Sequence, residues 1–250
     1  MLLYGLLYSV PLLSILLAHE MGHFMACRYY GLRCTPPYFI PIPISIAGTL
    51  GAFIKIKSPF RSKRALFDVG IAGPLAGFAV TLPILWIGIS LSQIVPKTSE
   101  SAGMIFFGEP LIFRIISAAI FNYNPNVEDL IAHPVAMAGW FGLLVTSLNL
   151  LPVWQLDGGH IAFALLGPRY QKKLSIAALS LLMLVGLYGW PTPSYLIFGL
   201  LVFILGYRQR FYHPSPIQSW DSIGKARIAL ALVSLAILIL CFTPVPVSFN

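Results

Sequence analysis

The sequence predicts an all-α polytopic membrane protein with about six transmembrane helices and a small membrane-associated loop containing β-strands. Three observations carry that reading. The 250 residues are 58% hydrophobic and only 10% charged, with a mean hydropathy of +0.83, whereas soluble chains carry about 25% charged residues. Uncharged runs of membrane-spanning length, for which about 20 residues suffice, recur along the chain. The basic residues gather in alternate loops, as orientation in a bilayer requires.

The first element is a retained helix over about 2–27. Residues 1–18 carry no charge, and the segment lacks the basic start and small-residue cleavage site of a signal peptide. The second run, Val69–Val95, contains Pro74 and Pro83, which membrane helices tolerate where neighbours satisfy the freed carbonyls. The third, Pro134–Leu156, resumes as Gly158–Leu166 after Asp157; Pro152 removes a backbone donor just before the acid, so this reads as a broken helix. Leu174–Tyr207 is divided by Gly189, Pro191 and Pro193 into two helices, and Ile228–Phe242 makes the sixth.

Threading six segments through a bilayer puts loops 28–64, 167–173 and 208–227 on one side, with 96–131, 189–193 and both termini opposite. Of the 16 Lys and Arg residues, only Lys97 and Arg114 then fall on the second side. The first side is therefore expected to be cytoplasmic, in a bacterial-type inner membrane, and the net charge of +8 is accounted for without nucleic acid. With both termini outside and Met1 opening directly in an apolar run, a preceding segment is expected. The three cysteines, Cys27, Cys34 and Cys241, have no paired spacing, which excludes a disulfide framework and a four-cysteine zinc module.

Two stretches do not span. Residues 36–57 combine four prolines, Gly48, Gly51 and the alternation Phe53-Ile54-Lys55-Ile56-Lys57, a pattern of short strands and turns dipping toward the membrane. Residues 111–121 are apolar with one base and suit a short helix lying at the outer interface, or a plain loop.

The strongest local signal is His19-Glu20-Met21-Gly22-His23. Residues at i and i+4 share a helix face and place two imidazoles on one metal, with Glu20 beside them as a base. Three ionisable groups within five residues of a spanning helix are costly, about 3 kcal/mol each on insertion scales, and are rarely kept without a task. Catalytic zinc takes three protein ligands and leaves one position open. Cys27 lies one further turn along the helix, about 5.4 Å, too far to converge with both histidines. Asp157, an isolated carboxylate at the break of the third helix, is the better third ligand, because an acid at membrane depth needs a counter-charge. Asn149, one helix turn and more before it, either hydrogen-bonds substrate or transition state, or makes an interhelical hydrogen bond. His160 reads as a hydrogen-bonded buried histidine or as a partner of the site. His133 and His213 read as solvated loop residues, and Tyr29, Tyr30 and Trp190 as interface aromatics.

These residues resemble the site-2 proteases, intramembrane zinc metalloproteases that cleave substrate helices within the bilayer. The resemblance covers most of the chain. It rests on His19–His23, on Asn149 to Gly159 with its Asn-x-x-Pro and Leu-Asp-Gly elements, and more weakly on Gly73-Pro74-Leu75-Ala76-Gly77. It implies a single membrane-embedded domain over 1–250, with a catalytic core of about 1–167 and additional helices over about 174–243. It further implies zinc on His19, His23 and Asp157, Glu20 as general base, a substrate role for Asn149, and a sheet near 38–57 that pairs with unwound substrate. The expected partners are a membrane-protein substrate with a transmembrane helix and the lipid bilayer. The rival class is a divalent-metal transporter using the same three ligands, since transporters also build sites at broken helices. Against it, Glu20 has no role in mere coordination and no second matching half is visible. A catalytically inactive scaffold is disfavoured because the ligands and the base are all present.

Overall fold

The computed structural model describes residues 2–41, 49–97, 105–122, 124, 127–189, 192, 194–208, 215–217 and 222–249. Its elements in chain order are α1 (Leu2–Tyr29), β1 (Tyr38–Pro41), β2 (Thr49–Phe53), α2 (Lys63–Ser90), β3 (Gln93–Pro96), β4 (Ile105–Phe107), α3 (Leu111–Ile120), β5 (Glu128–Ile131), α4 (Pro134–Leu150), α5 (Asp157–Tyr188), α6 (Ser194–Arg208), α7 (Lys225–Cys241) and β6 (Val247–Phe249).

Among the described residues three helices, α1, α2 and α5, are long and apolar enough to cross a membrane, α5 consisting of two limbs joined at Gly167. That is fewer than the six full spans expected from composition. The helices α4 and α7 have 17 residues each and α6 has 15. At 1.5 Å per residue, 17 residues rise about 26 Å, short of a hydrocarbon core of about 30 Å. Exposed apolar side chains such as Leu3, Trp86, Leu181, Leu184 and Ile197 line the outer faces of the bundle, where lipid would solvate them.

Several boundaries differ from expectation for local reasons. The second helix starts at Lys63 rather than Val69, because Ser62 caps it by accepting from the Ala65 amide at 3.1 Å, and Arg64 and Asp68 in its first turns find partners in the Ser222 carbonyl and Arg227. It ends at Ser90, and the apolar residues after it enter β3. The segment Gly158–Leu166 does not continue α4. It is the first limb of α5, and the expected loop 167–173 contracts to one residue, Gly167, at φ 79° and ψ 174°. That conformation is essentially reserved for glycine.

Short antiparallel pairs decorate the bundle. β1 pairs with β2, and a further bridge joins Cys34 to Ile56, so the stretch expected to hold strands does so; the residues between β1 and β2 lie outside the described set. At the other end β3 pairs with β5 and β4 with β6. The 111–121 segment is helical, as α3, rather than a loop.

The core joins α2, α4, α5 and α7: Leu66, Phe67, Leu85, Trp140, Leu143, Phe163, Ile237 and Cys241 are all buried in one cluster. Helix α7 thus packs directly on the elements that carry the motifs. Its first turn is tied down by Arg227, which donates to both carboxylate oxygens of Asp68 in α2. Tyr30, just past α1, donates its hydroxyl to Asp68 and accepts from Arg227 at 3.3 Å. The C-terminal end of α1 and the N-terminal ends of α2 and α7 therefore meet at one end of the bundle. Tyr29 is exposed as an interface aromatic would be, but Tyr30 is a member of this cluster. His133 is not a free loop residue either: it caps α4, with Nδ1 accepting from the Val135 amide at 3.3 Å. His213 and Trp190 lie outside the described residues.

Candidate active site

The helix α1 places His19 and His23 one turn apart on the face that packs against α2 and α4. Both rings are buried, at 4% and 7% exposure. Asp157, the first residue of α5, comes to them from the far end of the sequence. Its Oδ2 stands 3.2 Å from His19 Nε2 and its Oδ1 3.3 Å from His23 Nε2, and the two Nε2 atoms are 3.1 Å apart. The three residues form one group capable of holding a metal ion. Two imidazoles and a carboxylate, with one ligand atom from each within 4.8 Å of the others, suit zinc in their chemistry.

The second ring nitrogen of His23 fixes its tautomer. Nδ1 donates to the Val69 carbonyl at 2.7 Å, which leaves the Nε2 lone pair directed at the site, as metal-bound histidines require. Val69 follows Asp68, the residue held by Arg227 and Tyr30, so the carbonyl that orients a ligand sits on a clamped turn of α2.

Room for the imidazoles comes from glycines of α2. A Cβ on Gly73 would collide with the His23 ring, and one on Gly77 would come 3.1 Å from His19 Cβ. The Gly73–Gly77 segment, read from sequence as mainly structural, is thus the wall of the site. Sequence reasoning missed this because an absent side chain leaves no chemical signature; only the match in spacing between the two histidines and the two glycines hinted at it.

Glu20 lies on the adjoining face of α1, half-buried, where the Ile54 backbone hydrogen-bonds its carboxyl group. The β1–β2 hairpin and its exit strand therefore border the position expected for the base. Asn149, in the last turn of α4, has Nδ2 3.4 Å from His19 Nε2, at the rim of the donor cluster. Cys27 is fully buried among Leu32 and Val69 and stands outside the donor group, as the helical rise demands. His160 packs against Phe60 with ring centroids 5.9 Å apart, and its Cβ faces Gly70. Asp157 does not act as an ordinary helix cap: the cap position is Leu156, which contributes no side-chain hydrogen bond.

A helical bundle with two histidines at i and i+4 and a distant aspartate around one buried point, bordered by a glutamate, is the architecture of a membrane metallopeptidase. The model of peptidase family M50 matches residues 7–188, and the chain belongs to that family. It is 34% identical over 236 residues, 93% of its length, to "Probable zinc metalloprotease EGY1, chloroplastic" of Oryza sativa subsp. japonica, covering 39% of that protein. The Arabidopsis thaliana protein of the same name is 33% identical over 237 residues, with 93% and 42% covered. "Probable zinc metalloprotease EGY2, chloroplastic" of Oryza sativa subsp. indica is 30% identical over 192 residues, 74% of this chain and 33% of that protein. The chain thus spans about two fifths or less of the length of these relatives. No solved structure matches it.

Proposed function

We propose that the chain is an intramembrane zinc metalloendopeptidase that hydrolyses peptide bonds within or near transmembrane segments of membrane-protein substrates. The observation that carries this reading is the convergence of His19, His23 and Asp157, whose ligand atoms, one from each residue, lie within 4.8 Å of one another, beside Glu20. His19, His23 and Asp157 hold the metal; bound zinc supplies Lewis acidity and makes water acidic enough to ionise near neutral pH. Glu20 takes the proton from the attacking water and returns it to the leaving amine. Asn149, at the rim, donates a hydrogen bond to the substrate carbonyl or its developing oxyanion. The β1–β2 pair, which borders Glu20, suits the addition of an unwound substrate strand, since main-chain hydrogen bonds recognise any sequence. Substrate helices with Gly or Pro near the scissile bond unwind most readily.

The whole chain, 1–250, is read as one membrane-embedded domain, with α6 and α7 added to a catalytic core of about 1–167. In a membrane of bacterial type the basic loops face the cytoplasm. The clustered ends of α1, α2 and α7 lie on that side, so water reaches the site from there. The transporter reading of the same ligands draws no support from relatives that are named metalloproteases.

The test is cleavage of a model membrane-spanning substrate by the purified chain in detergent. Glu20→Gln is expected to abolish cleavage while about one zinc per chain stays bound, as a single catalytic site requires, and a chelator is expected to abolish it by removing the metal. Equal cleavage by wild type and Glu20→Gln would sink the assignment.

A further inference from the structure

The turn between α4 and α5 leaves helical geometry beside the proposed metal ligands. Leu151 and Val153 of this turn are buried against Leu179, Leu182, Tyr195 and Val202, while Pro152 and Trp154 are partly buried. Trp154 takes φ 45°, a left-handed conformation unusual for a large side chain. Backbone that leaves helical geometry in an apolar bundle persists only where other groups take up its donors and acceptors.

Two buried side chains of α5 do so. Ser175 Oγ donates to the Pro152 carbonyl at 3.0 Å and accepts from the Trp154 amide at 2.9 Å. Gln171 Nε2 donates to the Trp154 carbonyl at 3.1 Å and to Ser175 Oγ at 2.9 Å. A hydroxyl has one proton and two lone pairs, and a side-chain amide nitrogen has two protons. All are used here, each once, so the network has a single consistent arrangement. Gln171 is 1% exposed and Ser175 0%.

The contact exists because the chain reverses. On a straight helix Ser175 would stand about 27 Å from Asp157; the glycine-only conformation of Gly167 brings the second limb of α5 back alongside the turn it stabilises. The same turn ends at Asp157, and the Leu156 cap has no side-chain hydrogen bond of its own. The axial position of the carboxylate is therefore set by the 152–154 backbone.

We propose that Gln171 and Ser175 are positioning residues of the metal site: acting through the backbone of Pro152 and Trp154, they hold Asp157 where it can share a metal with His19 and His23. The inference rests on the metal-site reading above. Neither side chain touches a ligand, and neither takes part in the chemistry.

The experiment measures zinc affinity of the full chain in detergent by chelator competition, together with the visible absorption of the Co2+-loaded protein. Ser175→Ala and Gln171→Met are expected to weaken zinc binding by about 10- to 100-fold, the range for residues that orient ligands, and to shift the Co2+ bands. Ser175→Thr, which keeps the hydroxyl, is expected to restore both. Ser234→Ala, which deletes a buried hydroxyl of α7 bonded to Ala231, is expected to change neither, separating positioning from loss of stability. Folded Ser175→Ala and Gln171→Met with unchanged affinity and unchanged bands would overturn the inference alone. A wild-type chain that binds no zinc would overturn the site reading and this inference with it. Should Ser175→Ala not fold, Gln171→Met decides by the same criterion.

Discussion

Arg227 and Asp68 form a two-pronged ion pair between α7 and α2, with Nε 2.8 Å from Oδ1 and Nη2 2.6 Å from Oδ2. Planar, paired geometry of this kind is specific to arginine. The next residue, Val69, accepts the His23 Nδ1 proton, so the pair connects a helix outside the matched family segment to a proposed metal ligand inside it.

Arg227→Ala leaves a half-buried carboxylate with Tyr30 as its remaining partner. The expected loss is about 2 kcal/mol, the scale of hydrogen bonds to charged groups, read as a lower melting temperature in detergent. Arg227→Lys recovers part of it, because an ammonium cannot engage both oxygens at once. Recovery to the wild-type value would remove the role given to the fork geometry.

Tyr30 gives this cluster a defined pH dependence. Burial, and then the adjacent Asp68 carboxylate, raise the phenol above its ordinary 10.0. A raised value in the folded state means that the stabilisation is fully present below the ordinary value and fades as pH climbs through the raised one. Melting temperature should therefore differ between wild type and Tyr30→Phe by a constant amount up to that ordinary value, and the gap should close only above it. A gap that changes across neutral pH contradicts the assignment.

Gly73→Ala is expected to eliminate zinc binding, since the added methyl occupies the His23 ring position, and Gly77→Ala to weaken it, since His19 must yield by only a few tenths of an ångström. Metal analysis of the two purified variants settles the order; equal zinc in both and in wild type refutes the wall described for α2.

Chelation should destabilise wild type but not Asp157→Asn. A ligand present at a hundred times its dissociation constant contributes about 2.7 kcal/mol, so removal of zinc should lower the wild-type melting temperature by several degrees. An equal drop in Asp157→Asn would mean that the metal sits elsewhere.

The Tyr8 hydroxyl is the buried side-chain polar atom left without a hydrogen bond among the described residues. Tyr8→Phe therefore deletes a desolvated group without breaking a bond, and is expected to raise stability by up to about 1 kcal/mol while keeping the edge-on contact with Phe141. A clear loss of stability would show that the hydroxyl has a partner in the membrane-embedded protein.

The residues of the proposed metal site stood out in the sequence because their signals are local or chemically expensive. His19 and His23 announce a shared helix face by spacing alone, and Asp157 stands out as an acid in an apolar run beside Pro152 and two glycines. What stayed hidden depends on long-range proximity. Tyr30 reads as an ordinary belt aromatic until Asp68 and Arg227, 38 and 197 residues away, are beside it. Gln171 and Ser175 look like unremarkable polar residues because the reversal at Gly167 cannot be seen in a hydropathy profile. The same reversal explains why 167–173 read as a loop: Gly167-Pro168 is a genuine helix break, but Pro168 is also a good first residue for the helix that follows. The shortness of α4 escaped composition, which measures apolarity and not where a helix stops.

Assembly order follows from the placement of the ligands along the chain. At about 5–20 residues per second, a ribosome needs on the order of ten seconds to cover the 130 residues from His19 to Asn149, and Asp157 emerges later still. Throughout that interval the paired imidazoles of α1 have no carboxylate to complete them. Only the glycine wall of α2, made soon after α1, can shelter them. On the proposed ligand set, metal loading waits for Asp157 and so falls late in biogenesis.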